Sequence, residues 1–152
     1  DDDALYVGAR MSTRPGSPIQ APMGRREDNN QSEHILVSLD TFLDHRTAYV
    51  FGVTAAGVRI DRYHPKDDEG AFDETFDPVW RARTTMTAAG WTAELWIPFS
   101  QLRFNNQPKQ VWGLNIERST PARKRSTVRR SWCSAWRTRK TSTTCASRRP
   151  SN

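Results

Sequence analysis

Cysteine is absent from the first 132 residues; the chain has two, Cys133 and Cys145. No disulfide can therefore staple the main body, which suits an exported protein that folds without them and suits a cytosolic one equally. Long apolar runs are absent as well: nothing approaches the roughly 20 consecutive residues that cross a bilayer as a helix. The opening "DDDALYVGAR" lacks the basic and apolar segments of a signal peptide. With no initiator methionine, it predicts a chain that begins inside a larger protein, any export signal lying upstream. Acidic side chains are absent after Glu117, whereas residues 119–152 hold ten Lys/Arg. The other 13 of the 23 basic residues share residues 1–118 with all 17 acidic ones, a net of −4 there. The formal +6 of the whole chain, which alone points to a polyanion partner, belongs to the tail.

Sustained helical periodicity is the remaining absence; only "SQLRF" has room for a single turn. Period-2 alternation takes its place and marks half-buried strands. In "ALYVGARM", Leu5, Val7, Ala9 and Met11 share one face, with Tyr6, Gly8 and Arg10 on the other. Ile35, Val37 and Leu39 alternate next, then Tyr49, Phe51 and Val53, followed by "VRIDRY". "VWRARTTM", the turn "TAAG" and "WTAELWIPF" read as a hairpin, and "QVWGLNIERS" as a last strand with Trp112, Leu114 and Ile116 inward. Between these lie a Pro-, Gly- and Asn-rich loop and an acidic one. A length of 152 residues allows one domain with a real core. Several short strands punctuated by turns predict an all-β antiparallel sandwich over residues 1–118.

Parity sorts the tryptophans, because successive side chains of a strand point to opposite faces. Trp91 shares a face with Ala93, Leu95 and Ile97 and is expected in the core, as is Trp112. Trp96 falls with Thr92 and Glu94 on the polar face. It is either covered by a loop or further strand, or displayed as a stacking platform.

The segment "GWTAELWIPFSQLRF" followed by "VWGLNIERS" resembles the family 9 carbohydrate-binding-module-like domain, in the version that opens large bacterial surface proteins continuing into an outer-membrane-associated β-rich region. "DDDALYVGARM", "GRRED", "LVSLDTFLDHRTAYVFGVTAAGV" and "FDPVWRART" match in order, so the resemblance covers about residues 1–118. It implies a jelly-roll-like β-sandwich that is not catalytic and holds sugar chain ends between aromatic rings, with structural Ca²⁺. The implied partners are a glycan or polysaccharide and the parent protein's β-rich domain, and the implied location is the periplasm or the cell surface and outer membrane. The parent would then serve polysaccharide breakdown. The family's opening Asp-Gly…Leu-Asp…Trp segment is missing, which predicts a sandwich incomplete at its N-terminus, with exposed sheet edges.

Trp96 and Trp80 are the sugar-stacking candidates from parity and loop proximity, with Glu94 and Asn115 supplying polar contacts if the outward face binds. The rival from another class is a structural domain that buries Trp96 against a membrane-associated β-rich partner. Asp40 and Asp44 flank a hairpin loop and form a weak calcium pair, although Asp is common there for turn chemistry alone. The cluster Asp67, Asp68, Glu69, Asp73, Glu74 and Asp77 offers hard oxygen ligands but lacks EF-hand spacing and reads as a solvated loop. His34, His45 and His64 are scattered, without zinc spacing, and Ser100 lacks a nucleophile setting. Glu94 and Glu117, expected on adjacent strands, have nothing to raise either pKa and so make no glycosidase pair.

The tail "PARKRSTVRRSWCSAWRTRKTSTTCASRRPSN" has no period. It reads as a basic arm for nucleic acid or an acidic surface, as a linker, or as the wrong frame of GC-rich DNA. Shifting the frame by one base turns Trp132-Cys133 into Val and allows apolar residues through Trp136, a strand-like run. Under that reading the sandwich continues past Arg118 and nucleic acid is not a partner.

Overall fold

The computed structural model describes residues 3–27, 31–68, 70–73 and 75–121, together with the backbone of 131–136. Among these residues eight strands form: β1 (Ala4–Ser12), β2 (His34–Asp40), β3 (Ala48–Thr54), β4 (Arg59–His64), β5 (Arg81–Thr87), β6 (Gly90–Pro98), β7 (Val111–Ser119) and β8 (Ser131–Trp136). They make a β-sandwich of two antiparallel sheets, with strand orders β1-β6-β5 and β4-β3-β2-β7-β8. The chain changes sheets between β1 and β2, between β4 and β5, and again between β6 and β7. A short 3₁₀ turn forms at Phe99–Gln101, overlapping "SQLRF" only at Ser100 and Gln101, and the chain is extended again at Leu102. Among the described residues, no helix is long and apolar enough to cross a membrane.

Alternation decides which side of each strand is buried. In β6, Trp91, Ala93, Leu95 and Ile97 are all buried, while Glu94 is exposed. Facing them from the larger sheet are Val37 of β2 and Phe51 and Val53 of β3, each fully buried. Trp112 of β7 belongs to the same core, packed against Phe99 and Phe104. The inner row of β1 is less covered: Leu5, Val7 and Ala9 are only half-buried, since β1 lies at the edge of its sheet.

Two "TAAG" turns bend the chain between consecutive strands. Gly57 and Gly90 close them with φ of 87° and 144°, a region that glycine enters without a Cβ penalty. At Gly90 space matters as much: a Cβ there would sit 1.9 Å from the carbonyl oxygen of Met11 on neighbouring β1. The tail, which shows no period, contributes β8, paired with β7 from Ile116↔Ser131 to Val111↔Trp136. That strand falls on the stretch whose shifted-frame reading is apolar. The other residues after Pro121, and the basic-arm reading that rests on them, lie outside those described.

Parity gives a direct stability test. Leu95→Ala empties a fully enclosed site and should cost about 2–5 kcal/mol. Thr85→Ala, on the exposed face of β5, should stay within about 0.5 kcal/mol. Urea unfolding of both variants checks the assignment, and equal costs would contradict it.

Candidate functional site

The outward face of the three-stranded sheet is built by register. Tyr6 on β1 and Arg81 on β5 both stand opposite Trp96 on β6, so three strands contribute to one line of side chains. Gly8, Glu94 and Arg83 form the next line, and Arg10, Thr92 and Thr85 the one after. Successive lines lie two residues apart along the strand, about 7 Å. Tyr6 is 60% exposed and Trp96 half-buried. The Arg81 guanidinium lies 5.0 Å from the indole centroid, a cation–π contact. A Cβ added to Gly8 would meet nothing within 4 Å, so the surface is open beside Glu94 and between the Tyr6 and Arg10 side chains. This face presents two aromatic rings, an acceptor carboxylate and several donors on a hydrogen-bonded sheet.

The other expected sugar contacts do not join it. Trp80 is a core residue, 1% exposed, packed edge-on against Phe51 at 5.3 Å and donating its Nε1–H to Asp61 at 3.0 Å. The strand begins only at Arg81, so the preceding segment drops the indole between the sheets and leaves no ring face for a ligand. Asn115 sits on β7, in the opposite sheet, beside Ser38 of β2. The sheet change between β6 and β7 separates it from Trp96 and Glu94, and likewise puts Glu117 in a different sheet from Glu94.

The metal candidates are occupied with turn chemistry. Asp40 accepts the backbone N–H groups of Asp44 and His45, at 3.1 and 2.8 Å. Asp44 accepts those of Arg46 and Thr47, both at 2.8 Å. Burial is the largest single influence and raises its carboxyl, but the N–H groups of Thr47 and Arg46, with the Thr47 hydroxyl and the Arg46 charge, together outweigh it and hold the carboxyl below its ordinary value. Between the two carboxylates, Leu43 and His45 adopt left-handed backbone with φ of 55° and 56°. In the acidic loop, Asp68 and Asp73 accept N–H groups two residues on, and Asp77 pairs with Arg26 at 2.6 Å; Glu69 and Glu74 lie outside the described residues. No three His, Cys, Asp or Glu side chains among the described residues are placed to hold a metal ion.

Periodicity did not reveal a second cluster, around an inward-facing carboxylate at the sheet edge. Asp61 of β4 stands opposite buried Phe51, and its side chain is 2% exposed. Arg26 grips it in a fork, with Nε at 3.2 Å and a terminal nitrogen at 2.9 Å from both oxygens. Glu27 completes the corner: its N–H donates to the Arg59 carbonyl, and its carboxylate accepts the Asp61 N–H at 3.1 Å. It thereby caps the free edge of β4, from a left-handed backbone with φ of 70°. Burial pushes the Glu27 carboxyl above its ordinary 4.5, and the neighbouring Asp61 charge adds to the rise, while the Asp61 N–H, Arg62 and Arg26 oppose it. Arg26, Glu27, Asp61 and Asp77 line a cleft of about 540 Å³ with Arg62, Phe72 and Phe76. The "GRRED" motif was the only sequence signal for it.

Set beside known proteins, the chain matches no protein-family model, no curated protein and no solved structure.

Asp61→Ala leaves the Arg26 fork and the Trp80 N–H without their shared acceptor and should cost about 3–5 kcal/mol in urea unfolding. Trp80→Phe, which keeps a ring but removes one donor, should cost less. For Glu27 the sign follows from its raised value. The stability it contributes is complete below the ordinary 4.5 and is lost as pH rises through the raised value. Glu27→Gln should therefore flatten the decline of unfolding free energy between 4.5 and the raised value, and an unchanged slope there would assign the decline to another group.

Proposed function

We propose that this domain is a non-catalytic carbohydrate-binding module of an exported bacterial protein, of the family 9-like kind that its sequence resembles. In this reading it holds glycan on the outer face of the β1-β6-β5 sheet. The observation that carries the proposal is the Tyr6–Trp96–Arg81 line beside the open surface at Gly8. A pyranose has an apolar C–H face that stacks on aromatic rings, and its hydroxyls need donors and acceptors around the rim. Tyr6 and Trp96 supply the rings; Glu94, Arg83 and Thr92 supply the rim. Gly8 leaves room for a second sugar residue along the same strand direction. A pre-ordered platform loses little entropy on binding, which suits an extended chain. The function of such a module is to keep its parent near a polysaccharide by raising effective concentration. Export to the periplasm or cell surface agrees with a mildly acidic body that has no cysteine.

The Arg81 guanidinium stands where a sugar ring stacks on the indole, and the sugar displaces this exposed side chain. Trp96→Ala and Tyr6→Ala should each weaken binding about five- to thirtyfold, since loss of one stacking ring is worth about 1–2 kcal/mol. Arg81→Ala should bind at least as tightly as the parent, because it bares the indole. Calorimetric titration with soluble oligosaccharides and retention on insoluble polysaccharides measure both effects.

One observation favours the structural rival, in which this domain packs against a β-rich partner. Strand β1 is an edge with a half-buried inner row, Leu5, Val7 and Ala9, so an added strand or packed domain would bury apolar surface there. If no oligosaccharide or polysaccharide binds, while the adjoining domain protects the amides of β1 from hydrogen exchange, the structural reading replaces the glycan one.

A further inference from the structure

The cleft at the edge of β4 lies in the larger sheet, away from the aromatic line on β1, β6 and β5. Its ligand chemistry can be read from the hydrogen-bonding capacity left over. Arg26 is spent: its Nε and one terminal nitrogen serve Asp61, and the other serves Asp77. Asp61 is spent as well, on Arg26 and Trp80. Arg62 is different, because its Nε is buried without a hydrogen-bond partner among the described residues, and a buried donor left unpaired is costly. Its guanidinium lies 4.9 Å from the Phe72 ring centroid. Glu27 and Asp77, with side chains 42% and 74% exposed, retain acceptor lone pairs on the same cleft. Phe72 is 37% exposed at its mouth, and Phe76 links it to the core through Tyr49, Tyr63 and Phe51.

These groups discriminate between ligand charges. Arg26 and Asp61 cancel, leaving Arg62 against the two carboxylates of Glu27 and Asp77. An anion that reaches Arg62 shares the cleft with both carboxylates. A cation finds the Phe72 ring face already taken by a guanidinium, which repels it. A neutral ring carrying hydroxyls satisfies both demands, accepting from Arg62 Nε–H and donating to Glu27 and Asp77. Its C–H groups contact Phe76 and the part of Phe72 that Arg62 leaves exposed, and a volume of about 540 Å³ falls within the range of small-molecule sites.

We propose that this cleft is a second binding site, for a single neutral polyhydroxylated ring of the sugar or cyclitol class. The proposal shares its ligand chemistry with the glycan reading but not its residues, so either can fail alone. The test is a titration of the full 152-residue chain, isotope-labelled, followed by amide chemical shifts with D-glucose, myo-inositol, D-glucuronate and choline as probes. Glucose or inositol should move the amides of Glu27, Arg62, Phe72 and Phe76 in a saturable way, with glucuronate and choline weaker. Phe72→Ala and Arg62→Met should each weaken this response about tenfold, with the spectrum otherwise retaining its dispersion, and Trp96→Ala should leave it unchanged. Shifts confined to the β1-β6-β5 face, no shift with any probe, or a stronger response to glucuronate or choline would each overturn the proposal. So would a cleft response that survives both cleft variants.

Discussion

A single buried carboxylate organises one whole side of this molecule. Asp61 occupies an inward position on β4 beside Phe51, and an unpaired charge there would be prohibitive. Its partners are therefore obligatory. Trp80 must bring its indole N–H between the sheets, which fixes how the chain enters β5. Arg26 must reach in from the long loop between β1 and β2, which anchors a Pro- and Gly-rich segment that has little propensity of its own. Glu27 then falls against the edge of β4 and caps it. The cleft is what remains between these fixed parts and the loop that carries Phe72, Phe76 and Asp77.

A matching arrangement ties the interior elsewhere. Glu33 is buried and accepts from the Trp91 indole and from Arg118, which also reaches the Ser12 carbonyl. In both places an indole N–H and a guanidinium share one carboxylate, so the largest rings of the core gain a polar tether along with their apolar burial. Charge-assisted bonds of this kind set position more than they add net stability. The apolar rows supply the driving force, and the two carboxylates select which loops and strand ends close over them.

The two candidate surfaces follow from different physics. On the outer face of the smaller sheet, Tyr6, Trp96 and Arg81 are aligned by backbone register alone, so the platform is as rigid as the sheet. The cleft depends on side-chain bonds between residues far apart in sequence, such as Arg26 and Asp61. Much of the first was legible in the sequence: alternation puts Trp96 and Glu94 on the polar side of β6, and Tyr6, Gly8 and Arg10 on that of β1. That the two strands are neighbours was not legible, since parity carries no information about which strands pair. Asn115 shows the limit, having the right polarity on a strand that belongs to the other sheet.

From the sequence alone came the all-β class, the inward rows of β1, β2, β3, β6 and β7, and the core positions of Trp91 and Trp112. These are local consequences of a two-residue repeat and of turns written in Gly, Asn and Asp. The tertiary structure alone decided the order of strands in each sheet, the burial of Trp80, the placing of β8 beside β7 and the Asp61–Arg26 corner with its cleft. Each of these depends on contacts between distant segments, or on an acidic residue that strand pairing turns inward beside Phe51. Asp61 is tolerated facing inward because two donors, from residues 26 and 80, meet it there, and no periodicity within a single strand can announce them.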